Sequence, residues 1–254
     1  MKRSLATVVS DSAFIRELGD VIDRISRQTH AAEVAAIVKE VAGMLGCNGA
    51  VFASFTRGDE DFESYRYIVA CAASWCNLYV QQRWFAIDPF LIYAQHHTEP
   101  TAGDEIPLRT EGQRQFRQRA RETGFKSLAI VPCHTAAGRS RMGVLYLTSE
   151  DPDYFTRQTI APAKMCLRSI AAELLEWWSQ KIRRDLLHNL NIREDELKLL
   201  RLAHQGFGSK EIARLFDTRP ATIDQRFARL SLRLNVPTRA MAAKLAYESG
   251  LLDE

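Results

Sequence analysis

Near the start of the chain, apolar residues recur twice at helical spacing. Phe14, Leu18, Val21, Ile22 and Ile25 form one stripe. After the polar break Gln28-Thr29-His30 a second follows in Val34, Ile37, Val38, Val41 and Leu45. Each set shares one helix face, and Gly46 suits a helix stop. The period then shortens. Residues 50–55 and 65–72 read as strands about a turn at Gly58-Asp59, and residues 78–85 as a short helix ending before Asp88-Pro89. A charged helix is expected over 111–123. Strands follow over 126–133 and 142–148, joined at Ala137-Gly138, and then a long helix over 155–181.

The fold class expected for this first part is α+β: an α/β/α sandwich on an antiparallel sheet, of the kind seen in PAS and GAF domains. Such a layout can enclose a small ligand. Residues 1–180 are assigned to it as a sensor, and the polar, basic stretch 181–191 to a linker. Residues 192–254 change character, with four short amphipathic helices and no strand pattern.

In that last segment Asn191 and Glu194 have the spacing of a capping box. Leu197, Leu200 and Ala203 share a face, and Gly206 closes the helix. A second short helix begins at Ser209 with Ile212, Ala213 and Phe216 inward. After a tight turn, Pro220 opens a third helix. There Ile223, Phe227, Leu230 and Leu234 make one apolar stripe, opposite Gln225, Arg226, Arg229 and Arg233. Between positions 219 and 239 lie Arg219, Arg226, Arg229, Arg233 and Arg239 against one acid, Asp224. A short helix, a turn and a basic helix can seat the last in a DNA major groove. Arginine neutralises phosphates, and arginine and glutamine bond base edges in pairs. Lys210, Arg219, Thr222, Gln225, Arg226, Arg229 and Arg233 are therefore the candidate contacts to double-stranded promoter DNA.

These 60 or so residues resemble the LuxR-type helix-turn-helix domain. The matching positions are Glu196, Leu200, Ala203, Gly206, Glu211-Ile212-Ala213, Thr222-Ile223, Leu234, Val236 and Arg239. The chain departs from the family pattern at Ile192-Arg193-Glu194-Asp195-Glu196, at Asp224 and at Arg226. The resemblance implies a four-helix C-terminal domain whose last helix, over 238–251, supports a homodimer. Two reading heads about one DNA turn apart would then meet a roughly palindromic site.

Trp75, Tyr79, Asp88 and Pro89 fall in one short window. A buried tryptophan offers a large apolar face and one donor. A buried aspartate needs donors of its own. These residues fit a ligand with a polar head and an apolar tail. They equally fit a plain core with Asp88 as a helix cap. Their spacing resembles the signal-pocket motif of the acyl-homoserine-lactone-responsive LuxR regulators, which implies an N-acyl-homoserine lactone as ligand. By that resemblance Trp75 bonds the lactone carbonyl and Asp88 accepts from the amide N–H. Tyr79 packs on the acyl chain or bonds the amide carbonyl. The stretch from Gly124 to Pro132 and Tyr146 align with further pocket positions. Cys71 stands where the family often has a second tyrosine, and Leu128 where it has glycine. The tryptophan expected after Asp-Pro is missing from Thr98-Glu99-Pro100-Thr101-Ala102-Gly103. A regulator acting without lactone, or sensing another small molecule, is the alternative.

Bulk properties narrow the remaining classes. The chain has 254 residues, 46% hydrophobic, enough for two domains with cores. Its net charge of +3 permits a nucleic-acid partner without requiring one. Five cysteines, an odd number with no C-x-x-C pair, argue against a disulfide framework or zinc site and for a reducing cytoplasm. No segment reads as a signal peptide or membrane span. No nucleophile elbow, zinc-protease motif or phosphate loop is present, so neither catalysis nor a cofactor is expected. A response regulator would carry acids at the end of its first strand, and this chain has none there.

Overall fold

The computed structural model describes residues 5–57, 59, 62–135 and 140–252. The chain runs α1 (Leu5–Val9), α2 (Ser12–Asp23), α3 (Ala31–Met44), β1 (Gly49–Thr56), β2 (Arg66–Ala70), α4 (Ala73–Gln81), α5 (Pro89–His96) and β3 (Thr101–Ala102). It continues through α6 (Glu111–Glu122), β4 (Ser127–His134), β5 (Arg141–Ser149), α7 (Arg157–Leu190), α8 (Glu194–His204), α9 (Ser209–Leu215), α10 (Pro220–Arg233) and α11 (Arg239–Glu248). The chain divides into two compact units, one of Met1–Thr135 and Arg141–Trp177, the other mainly of Trp178–Glu254.

In the first unit the five strands form an antiparallel sheet in the order β2-β1-β5-β4-β3. Register fixes which residues share a face. Val69 lies opposite Val51, Val51 opposite Tyr146, and Tyr146 opposite Ile130. Val51, Tyr146 and Ile130 of that row pack with α4, α5 and α6 in one apolar cluster. The alternate residues Phe52, Leu145 and Leu147 are also fully buried, on the opposite face. There α3 packs on β1 and β2. Both faces are therefore covered, which explains why β4 and β5 are buried nearly end to end.

Several boundaries differ from the sequence reading. The helix expected over 78–85 is α4, shifted upstream, so Trp75 and Tyr79 sit one turn apart on one helix. Helix α5, expected only under the reading of Asp88 as a helix cap, begins at Pro89 because Asp88 caps it. The turn at Ala137-Gly138, and Gly58 of the first turn, lie outside the described residues.

The second unit is all helical. The stretch 181–191, read as a polar linker, continues α7 as far as Leu190. Its Leu186, Leu187 and Leu190 pack onto the cluster of Leu200, Leu230, Leu234 and Ala246, which holds the segment helical. Asn191 does not cap α8 as its spacing suggested. It follows the end of α7 in a left-handed conformation (φ 45°), a role asparagine fills at helix ends. Helix α8 starts three residues later, after Arg193, whose N–H donates to the Glu196 carboxylate at 3.0 Å. Helices α9 and α10 pair around Leu199, Ile212, Ala213, Ile223 and Phe227. The expected stripe is inward: Ile223, Phe227, Leu230 and Leu234 are all buried.

Candidate functional site

A cavity of about 160 Å³ lies between the sheet and the helices α4, α5 and α6. Val51, Ala53, Tyr146 and Thr148 form its floor from alternate positions of β1 and β5. Trp75, Cys76, Tyr79 and Val80 enter from α4, and Phe116 and Ala120 from α6. Tyr67 and Val69 on β2, 37% and 39% exposed, and Val80, 63% exposed, give it an apolar rim at the surface.

The polar centre is Asp88. Its two carboxylate oxygens have separate tasks. Oδ1 accepts from the backbone N–H groups of Phe90 (2.8 Å) and Leu91 (3.4 Å), capping α5. Oδ2 accepts from the Tyr79 hydroxyl at 2.9 Å and the Tyr146 hydroxyl at 3.2 Å. Both readings of the sequence, cap and pocket acid, are thus served by one side chain. The residue is 1% exposed. Burial pushes its carboxyl up to about 6, against the pull of the Phe90 N–H, the Tyr79 hydroxyl, the Leu91 N–H and the Tyr146 hydroxyl. Burial likewise raises both tyrosines, which remain donors.

Trp75 stands in an aromatic box. Its ring centroid is 5.2 Å from Trp84, 5.3 Å from Phe125 and 5.8 Å from Phe116. Among the described residues nothing accepts from its indole N–H. The cavity wall therefore carries an unspent donor on Trp75 and an anionic acceptor on Asp88. Polar residues behind the wall hold it in place. Arg117, buried, donates to the carbonyls of Phe125 and Lys126, each at 2.7 Å, and to Asp104 at 2.9 Å. Gln113 Nε2 donates to the Ile87 carbonyl at 3.1 Å, tying α6 to the turn before Asp88.

Of the pocket residues expected from sequence, Trp75, Tyr79, Asp88, Leu128 and Tyr146 line the cavity. Pro89 and Cys71 do not. Pro89 is buried at the first position of α5. Cys71 follows the end of β2, and its place on the wall is taken by Cys76. Sequence reading missed the β2 rim, Phe116 with Ala120, and Cys76. A usable signal existed for one pair. Phe116 and Ala120 are the apolar residues, one turn apart, of the otherwise polar helix α6.

In the second unit the expected DNA-contact residues, Lys210 on α9, Arg219 just ahead of α10 and the rest on α10, fall in two environments. Lys210, Arg219, Gln225 and Arg229 are exposed and, among the described residues, make no side-chain hydrogen bond or ion pair. Thr222 is partly buried on the same helix. Arg233 instead donates to Glu196 at 2.7 Å. Burial opposes the charge on Glu196, yet Arg233 and the Arg193 N–H hold its carboxyl below the usual range. Arg226 lies 3.7 Å from Asp195, with its guanidinium 5.8 Å from the Phe216 ring. Asp224, the lone acid of the stretch, accepts from the Ser209 hydroxyl, which in turn accepts from Arg239 at 2.9 Å. This chain of bonds links α9, α10 and α11.

Residues 30–176 match the family described as autoinducer binding domain. No protein of curated function matches the sequence. Among solved structures, a crystal structure of Escherichia coli SdiA is similar at TM-score 0.73 and 17% identity, covering 95% of this chain and 100% of that one. SdiA in complex with octanoyl-rac-glycerol is similar at TM-score 0.67 and 16% identity, with 95% and 98% covered. CepR2 of Burkholderia cenocepacia, an N-acylhomoserine lactone dependent LuxR family transcription factor, is similar at TM-score 0.56 and 15% identity, with 66% and 97% covered. At such identities the likeness is one of fold. No described helix is long and apolar enough to cross a membrane.

Proposed function

The chain belongs to the autoinducer-binding domain family of LuxR-type quorum-sensing regulators, and from that premise we propose that its cavity takes an N-acyl-homoserine lactone while α10 reads promoter DNA. The observation that carries the first half is the pairing of Asp88 with Trp75 on one apolar wall. An acyl-homoserine lactone offers an amide N–H to the carboxylate and a carbonyl to the indole, and its chain is apolar. A buried carboxylate gains most from such a donor, because water cannot compete for it. About 160 Å³ is the scale of a cavity that holds a benzene-sized group. The head group fits inside, and a long chain would leave over the Tyr67, Val69 and Val80 rim. The second half rests on the uncommitted cations Lys210, Arg219 and Arg229. The protein would act as a homodimer on a two-fold symmetric site, with no cofactor.

One observation favours a second ligand class. The fold neighbour SdiA has been solved with octanoyl-rac-glycerol, an acyl chain on a polyol that lacks an amide. Calorimetric titration of the full chain with decanoyl-homoserine lactone and, separately, with octanoyl-glycerol tests both. The lactone should bind and raise the thermal midpoint, since ligand at about 100 times Kd adds about 2.7 kcal/mol to the native state. Heat from the glycerol ester alone would move the reading to a non-lactone signal. No heat from either would reject the cavity as an acyl-ligand site.

A further inference from the structure

Beside the cavity two cysteines five residues apart in the chain bring their sulfurs together. Cys71 follows the end of β2, and Cys76 sits in the first turns of α4. Their Sγ atoms are 3.5 Å apart. Both residues are partly exposed, and Cys76 lines the cavity. We propose that Cys71 and Cys76 are a redox-active thiol pair that closes to a reversible disulfide when hydrogen peroxide reaches them.

The chemistry needs one thiol to ionise first. Cys76, in the first turn of α4 and on the cavity wall, is assigned that role. The hydrogen bond from Cys71 favours the Cys76 thiolate, and a backbone N–H adds to it, outweighing burial. Cys71 is shifted the opposite way, first by that same bond and then by burial. Cys47, Cys133 and Cys166 are all shifted up, each by burial. The first step is attack of the Cys76 thiolate on a peroxide oxygen. An S–O bond forms, the O–O bond breaks, and the departing hydroxide takes a proton to leave as water. Sulfur is oxidised to the sulfenic acid and the peroxide is reduced. Cys71 then gives its proton to solvent and attacks the sulfenyl sulfur. The S–S bond forms, the S–O bond breaks, and a second water leaves. Closure requires the sulfurs to approach by about 1.5 Å, within reach of side-chain rotation and a small shift of the α4 start. A small thiol reductant reverses it by exchange. Transient disulfides of this kind are the type found in reducing compartments.

The covalent state of the two sulfurs is read without reference to any ligand, so the proposal stands apart from the lactone assignment. The test uses the full chain. Trypsin cuts after Arg66 and Arg83, so residues 67–83 leave as one peptide holding both cysteines and no others. After hydrogen peroxide, alkylation and digestion, this peptide should be unalkylated and lighter by two hydrogen atoms. Dithiothreitol should restore two alkylated thiols. Closure should run at least about tenfold faster than oxidation of the partly exposed Cys166. In C71S the sulfenic acid on Cys76 should persist and be trapped by dimedone, whereas in C76S Cys71 should stay reduced. If the wild-type peptide keeps both thiols alkylatable through an exposure that oxidises Cys166, the proposal is overturned. That arm needs no variant to fold.

Discussion

The two units place their polar chemistry in opposite ways. The first buries, among its described residues, a single carboxylate at the meeting point of α4, α5 and β5 and surrounds it with aromatic rings. The second leaves Lys210, Arg219 and Arg229 exposed on α9 and α10 and at the turn between them, and ties Glu196 and Asp224 into structural bonds. A buried charge acts on a small partner through a few strong, short-range bonds. Exposed charges act on a large polyanion through many weak ones that salt screens. Mutations in the first unit should therefore give ligand-affinity losses that salt hardly changes, and those in the second duplex-affinity losses that depend on salt.

The largest expected effect comes from Asp88→Asn. Asparagine caps helices as well as aspartate does, so α5 should stay capped through the side-chain carbonyl. The tyrosine hydroxyls can rotate to accept from the new amide. What disappears is the anionic acceptor. Hydrogen bonds to charged groups contribute about 1.5–3 kcal/mol, so lactone affinity should fall about 10- to 150-fold. Calorimetry and thermal melting measure the two parts separately. A variant that melts normally and binds lactone as tightly as wild type would detach Asp88 from the ligand.

A comparison within α10 sharpens the contrast. Arg229 is uncommitted, and Arg233 is bonded to Glu196. Arg229→Ala should leave the melting temperature unchanged, weaken duplex binding by about 1–3 kcal/mol if it meets a base edge, or lower the salt slope by about one unit if it meets a phosphate. Arg233→Ala leaves Glu196, 9% exposed, with only the more distant Arg193 guanidinium, 4.0 Å away, so it should lower the stability of the C-terminal unit as well. Fluorescence anisotropy at several salt concentrations, beside melting curves, reads both. Equal melting losses in the two variants would show that the Arg233 pair has no structural share.

The contrast also explains what the sequence disclosed. Helix α10 was legible because its apolar stripe and basic face lie within fourteen consecutive residues, where helical period alone assigns each position. Trp75, Tyr79 and Asp88 were legible as a motif, but the double role of Asp88 was not. Its two oxygens face different partners, and one of these, Tyr146, lies 58 residues away. The rim residues Tyr67 and Val69 join the site only through pairing of β2 with β1. The register that decides this is a property of the assembled sheet. Arg233 looked like its neighbours because nothing local reveals Glu196, 37 residues upstream. The helical run to Leu190 was hidden for a similar reason: its leucines look like isolated apolar residues in a basic stretch until the C-terminal cluster covers them.

The smallest effect expected is one of pH, and it has opposite signs for the empty and the filled cavity. The Asp88 carboxyl titrates near 6 in the folded protein, raised from 3.8 by burial. Between those values the folded state holds a proton that the unfolded chain has released. Stability from this group is thus present below about pH 4 and is lost as pH rises through about 6. A ligand whose amide donates to the carboxylate needs the ionised form. Its affinity should be flat above about pH 7 and fall about tenfold by pH 5, because only about a tenth of the empty cavities then carry the anion. Titrations of lactone at pH 7 and pH 5 measure the second trend, and melting curves of the empty protein over the same range measure the first. Asp88→Asn should flatten both. A lactone affinity that rises on acidification would mean that the protonated acid donates to the ligand, reversing the polarity assigned to the cavity.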